Sequence, residues 1–402
     1  MKILIVNCGS SSIKYQLHDT IAGCALANGI VSNIGEEVSY LNHEAGGMLL
    51  SHAVVSPTHR AGFEIVIETL LSNEYGVLPK ISEVLAVGHR IAHGGNAFTE
   101  STLITEEVIR KIEEIVPLAP LHNPANLLGV REAMRLLPNV PHVAVFDTTF
   151  HQTMSPVTYL YALPYEYYER YGIRRYGFHG TSCQYVSEQA AKFLGKPLAK
   201  LKMVICHLGN GVTLDAIAGG KSIDTSMGFT PLEGLMMGTR SGNIDPGVIF
   251  FLNRKVGLSV DQIDDILNRK SGLLGISGIS NDIRKVIDGA ESGNKRCQLA
   301  LDMFAYRVRK YIGSYAAALG GINTLVFTAG IGENSPCLRA KICRGLEFLG
   351  IAIDDDTNET AVGRQQVISK PGASVETLVI PTDEGRSIVL ATLAVTGIAD
   401  RA

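Results

Sequence analysis

Net charge is almost absent from this sequence. Its 36 Lys and Arg stand against 39 Asp and Glu, a balance of −3, and like charges form no block. A nucleic-acid or anionic-membrane surface as its main role is therefore excluded, and any anion binding must be local. Proline is sparse, 15 beside 42 glycines, and the glycines follow no collagen-like period, so they belong to tight turns. The seven cysteines are odd in number and form no CxxC pair, which argues against a disulfide framework or a zinc knuckle and points to a reducing cytoplasm. No apolar run approaches the 18 residues of a membrane span, and Ile3-Leu4-Ile5-Val6 is too short for a signal-peptide core. What is present is 46% hydrophobic residues over 402 positions, enough for two globular domains and too apolar for disorder.

Residues 2–7 read as a buried strand, Gly9-Ser10-Ser11 as a turn and residues 12–17 as a second, alternating strand. The same strand-turn-strand plan recurs at 203–207, Leu208-Gly209-Asn210-Gly211 and 212–217, which predicts an internally duplicated, two-domain chain. Strands are also expected at 83–88, 143–146, 324–327 and near 379–380, and helices at 105–116, 124–137, 259–268 and 296–319. Residues 328–335 read as a glycine-rich loop, and Pro336 as the start of a helix running to about Leu349. Alternating strands and helices mean an α/β architecture, with ligands beyond the carboxyl ends of the strands.

Asn7-Cys8-Gly9-Ser10-Ser11-Ser12 reads equally as an ordinary turn and as a phosphate grip; Lys14, on the same strand face as Ser12, favours the grip. Gly219-Gly220-Lys221-Ser222 is not a P-loop, because Asp215 stands where the first glycine belongs; it reads as a turn between strands. One surface arginine is usually a solvated charge. Two of them, Arg90 and Arg240, each among glycines or small residues, suit a guanidinium that an oxyanion can approach. His179 could be no more than a satisfied, partly buried histidine. His89 and His93 are spaced for zinc only on a helix, which Gly88, Gly94 and Gly95 oppose. Asp147 and Glu384, each just after a strand, are the carboxylates best placed for Mg²⁺.

These motifs occur in order with His122-Asn123-Pro124, Phe146-Asp147-Thr148, Phe178-His179-Gly180-Thr181-Ser182, His207 to Gly211, Met237-Gly238-Thr239-Arg240-Ser241-Gly242 and Gly330-Ile331-Gly332-Glu333-Asn334. Together they resemble the acetate kinase (acetokinase) family over nearly the full length. The resemblance implies a duplicated two-domain sugar kinase/Hsp70/actin-like (ribonuclease H-like) α/β fold. Residues 1–148 plus about 386–402 would form an acyl-substrate domain, and 149–385 a nucleotide-binding and dimerisation domain. It implies ATP + acetate ⇌ ADP + acetyl phosphate by direct in-line transfer, with Mg²⁺ or Mn²⁺, by a cytoplasmic homodimer that uses neither nucleic acid nor membrane.

The resemblance also assigns roles. Arg90 would hold the carboxylate, and His179 and Arg240 would stabilise transition-state charge; Asp147 would orient an arginine or a metal-bound water. Asn7 and Glu384 match metal positions and Lys14 a nucleotide-phosphate position. His207, Leu208, Gly209, Asn210 and Gly211 would hold the phosphates. Asp282, Ile283, Arg284 and Gly330, Ile331, Gly332, Glu333, Asn334 would hold ribose and adenine, and Ala92, Leu121, Phe178 and Pro231 the acyl methyl. Three positions depart from the family pattern. Ala92 replaces a common Val, enlarging the pocket toward propionate; Asn243 replaces an Asp; and Asp383-Glu384-Gly385 replaces Asn-Glu-Glu. A nucleotide-gated binding protein is disfavoured because no room is left for a separate binding module, and a sugar kinase because the expected pocket is apolar.

Overall fold

The computed structural model describes residues 1–398; the end of the segment expected at 386–402 lies outside the described residues. The chain forms two compact units, Met1–Thr149 with the chain from Asp383 onward, and Phe150–Thr382. The second divide precedes Glu384, which therefore belongs to the first unit.

In the first unit the strands are β1 (Lys2–Gly9), β2 (Ser12–Asp19), β3 (Cys24–Ser32), β4 (Ser39–Ala45), β5 (Met48–Val54), β6 (Val84–Ile91), β7 (Thr102–Leu103) and β8 (His142–Phe146). They form one sheet in the order β5-β4-β3-β2-β1-β6-β8-β7. The β1–β2 hairpin is in register from Lys2–Asp19 to Gly9–Ser12, while β1 pairs β6 and β6 pairs β8 in parallel. Both faces of β1 are covered, which explains its unbroken apolar run. Leu4 and Val6 pack with Phe63, Val66 and Ala133 from helices His59–Leu71 and Asn123–Leu136. Ile3 and Ile5 face Ile388 and Val389 of helix Glu384–Thr396. Each such side chain contributes about 1.5–3 kcal/mol of burial.

The second unit contains β9 (Lys202–Leu208), β10 (Val212–Ala218), β11 (Lys221–Thr225), β12 (Thr324–Thr328), β13 (Gln366–Val367) and β14 (Glu376–Val379), in the order β11-β10-β9-β12-β14-β13. Val204, Cys206 and Leu208 pack toward helix Lys295–Ala318, and Met203 and Ile205 toward helix Gly180–Leu194. The run β3-β2-β1-β6-β8 of the first unit and the run β11-β10-β9-β12-β14 of the second are the same five-strand plan, two antiparallel pairings followed by two parallel ones. That repetition is the duplicated sugar kinase/Hsp70/actin-like fold.

Gly219 and Gly220, both at positive φ, make the turn from β10 to β11. Two expectations need correction. Residues 328–335 are not an open loop, because Ala329–Asn334 winds into a short helix. The guanidinium of fully buried Arg339 gathers the carbonyls of Gly332 and Glu333 at that helix's end. The helix begun by Pro336 stops at Cys343 rather than Leu349, where Gly345 turns to φ +88°.

In β3, Gly29 lies against the ring of Tyr15, whose hydroxyl reaches His43 Nδ1 at 2.8 Å. A Cβ at Gly29 would sit 2.3 Å from Tyr15 Cζ. Gly29→Ala is expected to cost about 2–3 kcal/mol through overpacking and the lost hydrogen bond. Urea unfolding of the variant checks this, and an unchanged midpoint would refute the tight contact.

Candidate active site

In the first unit the ends of parallel strands converge on a polar cluster. Arg90 is the penultimate residue of β6 and Asp147 follows β8, its neighbour. Arg90 Nε donates to Asp147 Oδ1 at 3.1 Å and Nη2 to Oδ2 at 2.5 Å, a two-point grip that fixes the guanidinium plane. Glu384 Oε2 lies 3.7 Å from Arg90 Nε. Burial works against the charge on Arg90, but Asp147 and Glu384 outweigh it and raise its pKa. Burial, reinforced by Asp147, pushes the Glu384 carboxyl above its ordinary value, while Arg90 and Lys14 pull it down.

Arg90, Glu384, Asn7 and Lys14 line one cavity of about 630 Å³. Asn7 and Glu384 present oxygen donors there. Among the described residues no group of three or more His, Cys, Asp or Glu could enclose a metal ion. Oxygen is the donor type that hard divalent cations take. His89 lies in strand β6 and not on a helix; His89 Nε2 is 2.9 Å from His142 Nδ1, and His93 Nδ1 accepts from Gly95 N.

A residue that sequence reasoning passed over ties this unit's parts together. Asn126 Nδ2 donates to the Cys8 carbonyl at 2.7 Å and its Oδ1 accepts from Ala92 N at 3.0 Å, locking the hairpin tip to the exit of β6. The only sequence signal was its place on the inner face of a helix three residues after His122-Asn123.

The second unit carries the other candidates. His179 precedes helix Gly180–Leu194 and adopts φ +58°, a left-handed conformation costly for a residue with a Cβ. Its Nδ1 lies 2.9 Å from Thr213 Oγ1, and its ring stacks on His207 with centroids 4.3 Å apart. His207 Nδ1 lies 2.9 Å from Ser182 Oγ, which in turn lies 2.7 Å from Thr382 Oγ1. A Cβ on Gly211 would sit 3.1 Å from His179 Cε1 and 3.5 Å from Arg240 Nη1, so loop, imidazole and guanidinium border one small space. Arg240 has no carboxylate partner among the described residues; its Nη1 reaches only Met237 Sδ, at 3.8 Å. Burial lowers its pKa from a value so high that the charge persists.

Leu208, Gly209 and Asn210 complete the β9–β10 turn. Asn281 Nδ2 donates to Asn210 Oδ1 at 3.1 Å, bringing the Asp282–Arg284 segment beside it. Asp282 caps helix Ile283–Glu291 and pairs with Arg284. Gly330, Ile331, Gly332, Glu333 and Asn334 lie in the helix after β12, whose last residue pairs with His207. Glu333 Oε1 accepts from Thr382 N at 3.0 Å. The four acyl-pocket candidates are divided: Ala92 and half-exposed Leu121 belong to the first unit, buried Phe178 and half-buried Pro231 to the second.

The acetokinase family model matches residues 2–390. The chain belongs to the acetokinase family. It is 54% identical over 386 residues to the acetate kinase of Thermoanaerobacter pseudethanolicus, covering 96% of each chain. Its fold superposes on the crystal structure of Porphyromonas gingivalis acetate kinase with a TM-score of 0.95 at 47% identity, covering 98% of this chain and 99% of that one. A propionate kinase from Francisella tularensis gives a TM-score of 0.92 at 40% identity, with the same coverage.

Two departures from the acetokinase pattern have local causes. Asn243 uses both ends of its amide, accepting from Gly234 N at 2.7 Å and donating to Tyr311 Oη at 2.8 Å. Gly385 lies against the end of the Gln16 side chain, whose Oε1 would be 1.7 Å from a Cβ there and would have to move aside for one.

Asp147→Ala removes both acceptors and would leave Arg90 the 3.7 Å contact to Glu384 as its carboxylate contact. It is expected to lower stability by about 2–4 kcal/mol, near the cost of breaking a buried pair. Denaturant titration measures this, and a loss under half a kcal/mol would show that Glu384 alone secures Arg90.

Proposed function

We propose that this acetokinase transfers the γ-phosphoryl group of ATP to acetate, reversibly and by direct in-line displacement, giving acetyl phosphate and ADP. The observation that carries the reading is Arg240: a guanidinium with no carboxylate partner among the described residues, beside His179 and a loop glycine. Such a group is available to the charge that builds on the equatorial oxygens of a migrating phosphoryl.

Acetate is already ionised at neutral pH and needs no general base. Asp147 is correspondingly not one; it is committed to Arg90, whose outer edge is left to hold the acetate carboxylate. The phosphates of ATP lie against His207 to Gly211 and Lys14, and the nucleoside against Asp282 to Arg284 and Gly330 to Asn334. Asn7 and Glu384 hold Mg²⁺, or Mn²⁺ in its place, which supplies neutralising charge to the phosphate oxygens. Ala92, Leu121, Phe178 and Pro231 accept the methyl group.

The second unit serves as the surface of a homodimer. Val248, Phe250, Phe251, Val256 and Val260 are 43–73% exposed within one short stretch of it, and apolar side chains gathered on a surface are a mark of protein–protein contact. The enzyme acts in the cytoplasm, where ATP is available and its seven free cysteines stay reduced. Among the described residues no helix is long and apolar enough to cross a membrane.

Propionate is the second reading, favoured by Ala92, since one methylene shifts preference by only ~1–3 kcal/mol. A hydroxamate trap with ATP, Mg²⁺ and C1 to C4 carboxylates tests both. Acetyl hydroxamate is expected to form with the highest kcat/KM. No hydroxamate from any acid would sink the kinase reading, and propionate ahead of acetate would reverse the substrate order.

Arg240→Ala is expected to lower kcat by ~10²–10³-fold with the KM for ATP changed less than about threefold. Steady-state kinetics decide it, and an unaltered kcat would remove Arg240 from the transition state.

A further inference from the structure

Beneath His179 runs a buried polar chain with no part in the reaction as described. His151, Ser222 and Asp215 are each fully buried in the second unit. Ser222 Oγ lies 2.7 Å from Asp215 Oδ1 and 2.9 Å from His151 Nδ1, and His151 Nε2 lies 3.1 Å from the carbonyl oxygen of Phe178. A carbonyl only accepts, so Nε2 carries a proton. In a neutral imidazole Nδ1 then accepts, taking the hydroxyl proton of Ser222, and the Ser222 oxygen must accept from a protonated Asp215.

The alternative, with the same number of protons, is an ionised Asp215 beside an imidazolium, 3.7 Å apart. It would place two charges in the core. Burial pushes the Asp215 carboxyl well up against the hydrogen bonds of Ser222 and Cys183 that lower it, and His151 down to about 4 against the Phe178 carbonyl that raises it, which favours the neutral chain.

The chain ends on the peptide that enters His179. The Phe178 carbonyl precedes His179, which stands at φ +58°, and Gly177, at φ +80°, lies so close that a Cβ there would be 2.6 Å from the His151 ring. A left-handed residue with a Cβ persists only where its surroundings over-determine it. Strand β10 supplies both restraints from one face, since Thr213 and Asp215 are two residues apart. Thr213 holds the ring at Nδ1; Asp215, through Ser222 and His151, holds the backbone.

We propose that His151 is a positioning residue for His179: the Asp215–Ser222–His151 chain clamps the Phe178 carbonyl and so fixes the left-handed turn that aims the His179 imidazole. What His179 then does rests on the kinase reading; the clamp itself does not.

His151→Phe keeps a ring of similar size and removes the Nε2–H donor. It is expected to lower kcat by ~30–100-fold, with both KM values within about threefold, as a misaimed group would. Asp215→Asn retains a neutral donor to Ser222 and is expected to keep at least about a third of kcat, whereas Asp215→Leu falls with His151→Phe. Ser222→Ala cuts the chain while sparing the histidine, and serves if His151→Phe does not fold. In parallel, the His179 Cε1–Hε1 resonance, assigned with His179→Gln, is expected to shift in His151→Phe or Ser222→Ala. A wild-type kcat with an unmoved resonance in a folded chain-cutting variant would overturn the clamp. Loss of kcat in Asp215→Asn as deep as in Asp215→Leu would overturn its neutral form. Should the unmodified enzyme make no acetyl hydroxamate, the kinase reading fails while the resonance still decides the clamp.

Discussion

The pairing of one central strand with a hairpin partner on one side and a parallel strand on the other governs each unit. Val6 of β1 lies opposite His89 of β6, and His207 of β9 opposite Thr328 of β12. A hairpin tip and a strand exit thereby emerge side by side. The tips, Gly9 to Ser11 and Gly209 to Gly211, contribute close backbone approach; the exits deliver Arg90 in one unit and the helix at Ala329 in the other. Apolar residues on both faces of β1 and β9 make a slip of one position costly, because it would exchange the two buried sets. Core packing thus sets the register on which the polar ends depend.

From that shared frame the two units handle positive charge in opposite ways. Arg90 is held in a fork by Asp147 with Glu384 nearby, so its plane is set and its local charge largely cancelled. Arg240 is left uncancelled against Met237 and a glycine loop. A fixed, balanced guanidinium suits a stable small anion that must be oriented. An uncompensated one in a poorly solvated setting suits charge that appears only transiently, where a protein carboxylate would compete. The overall balance of −3 is a sum over the whole chain and says nothing of this contrast.

Much of this was legible in the chain. The two hairpins, the helix at 296–319 and the motif residues could be read because period-2 alternation and glycine placement are local signals. The winding of Ala329–Asn334 was not, because it depends on Arg339, a residue whose guanidinium works on carbonyls several positions back and whose burial no local pattern announces. Asn126, Thr213 and Ser182 escaped for the same reason: each acts through hydrogen bonds to residues distant in sequence. The contact between Gly385 and the end of Gln16 lies between residues far apart in sequence, and no local pattern announces it.

The strain at His179 explains why its support is neutral. A buried ion pair could hold the Phe178 carbonyl as firmly as the Asp215–Ser222–His151 chain does. Its field, however, would change with every shift of the charges it sits below, and a phosphoryl-transfer site must accept and release several negative charges in each cycle. Inside a low-dielectric core such coupling is strong. A chain of three neutral groups fixes direction by geometry alone, so the left-handed turn keeps its aim whether the space beside Arg240 is occupied by an anion or not. Its cost is a carboxyl that must stay protonated, which complete burial enforces.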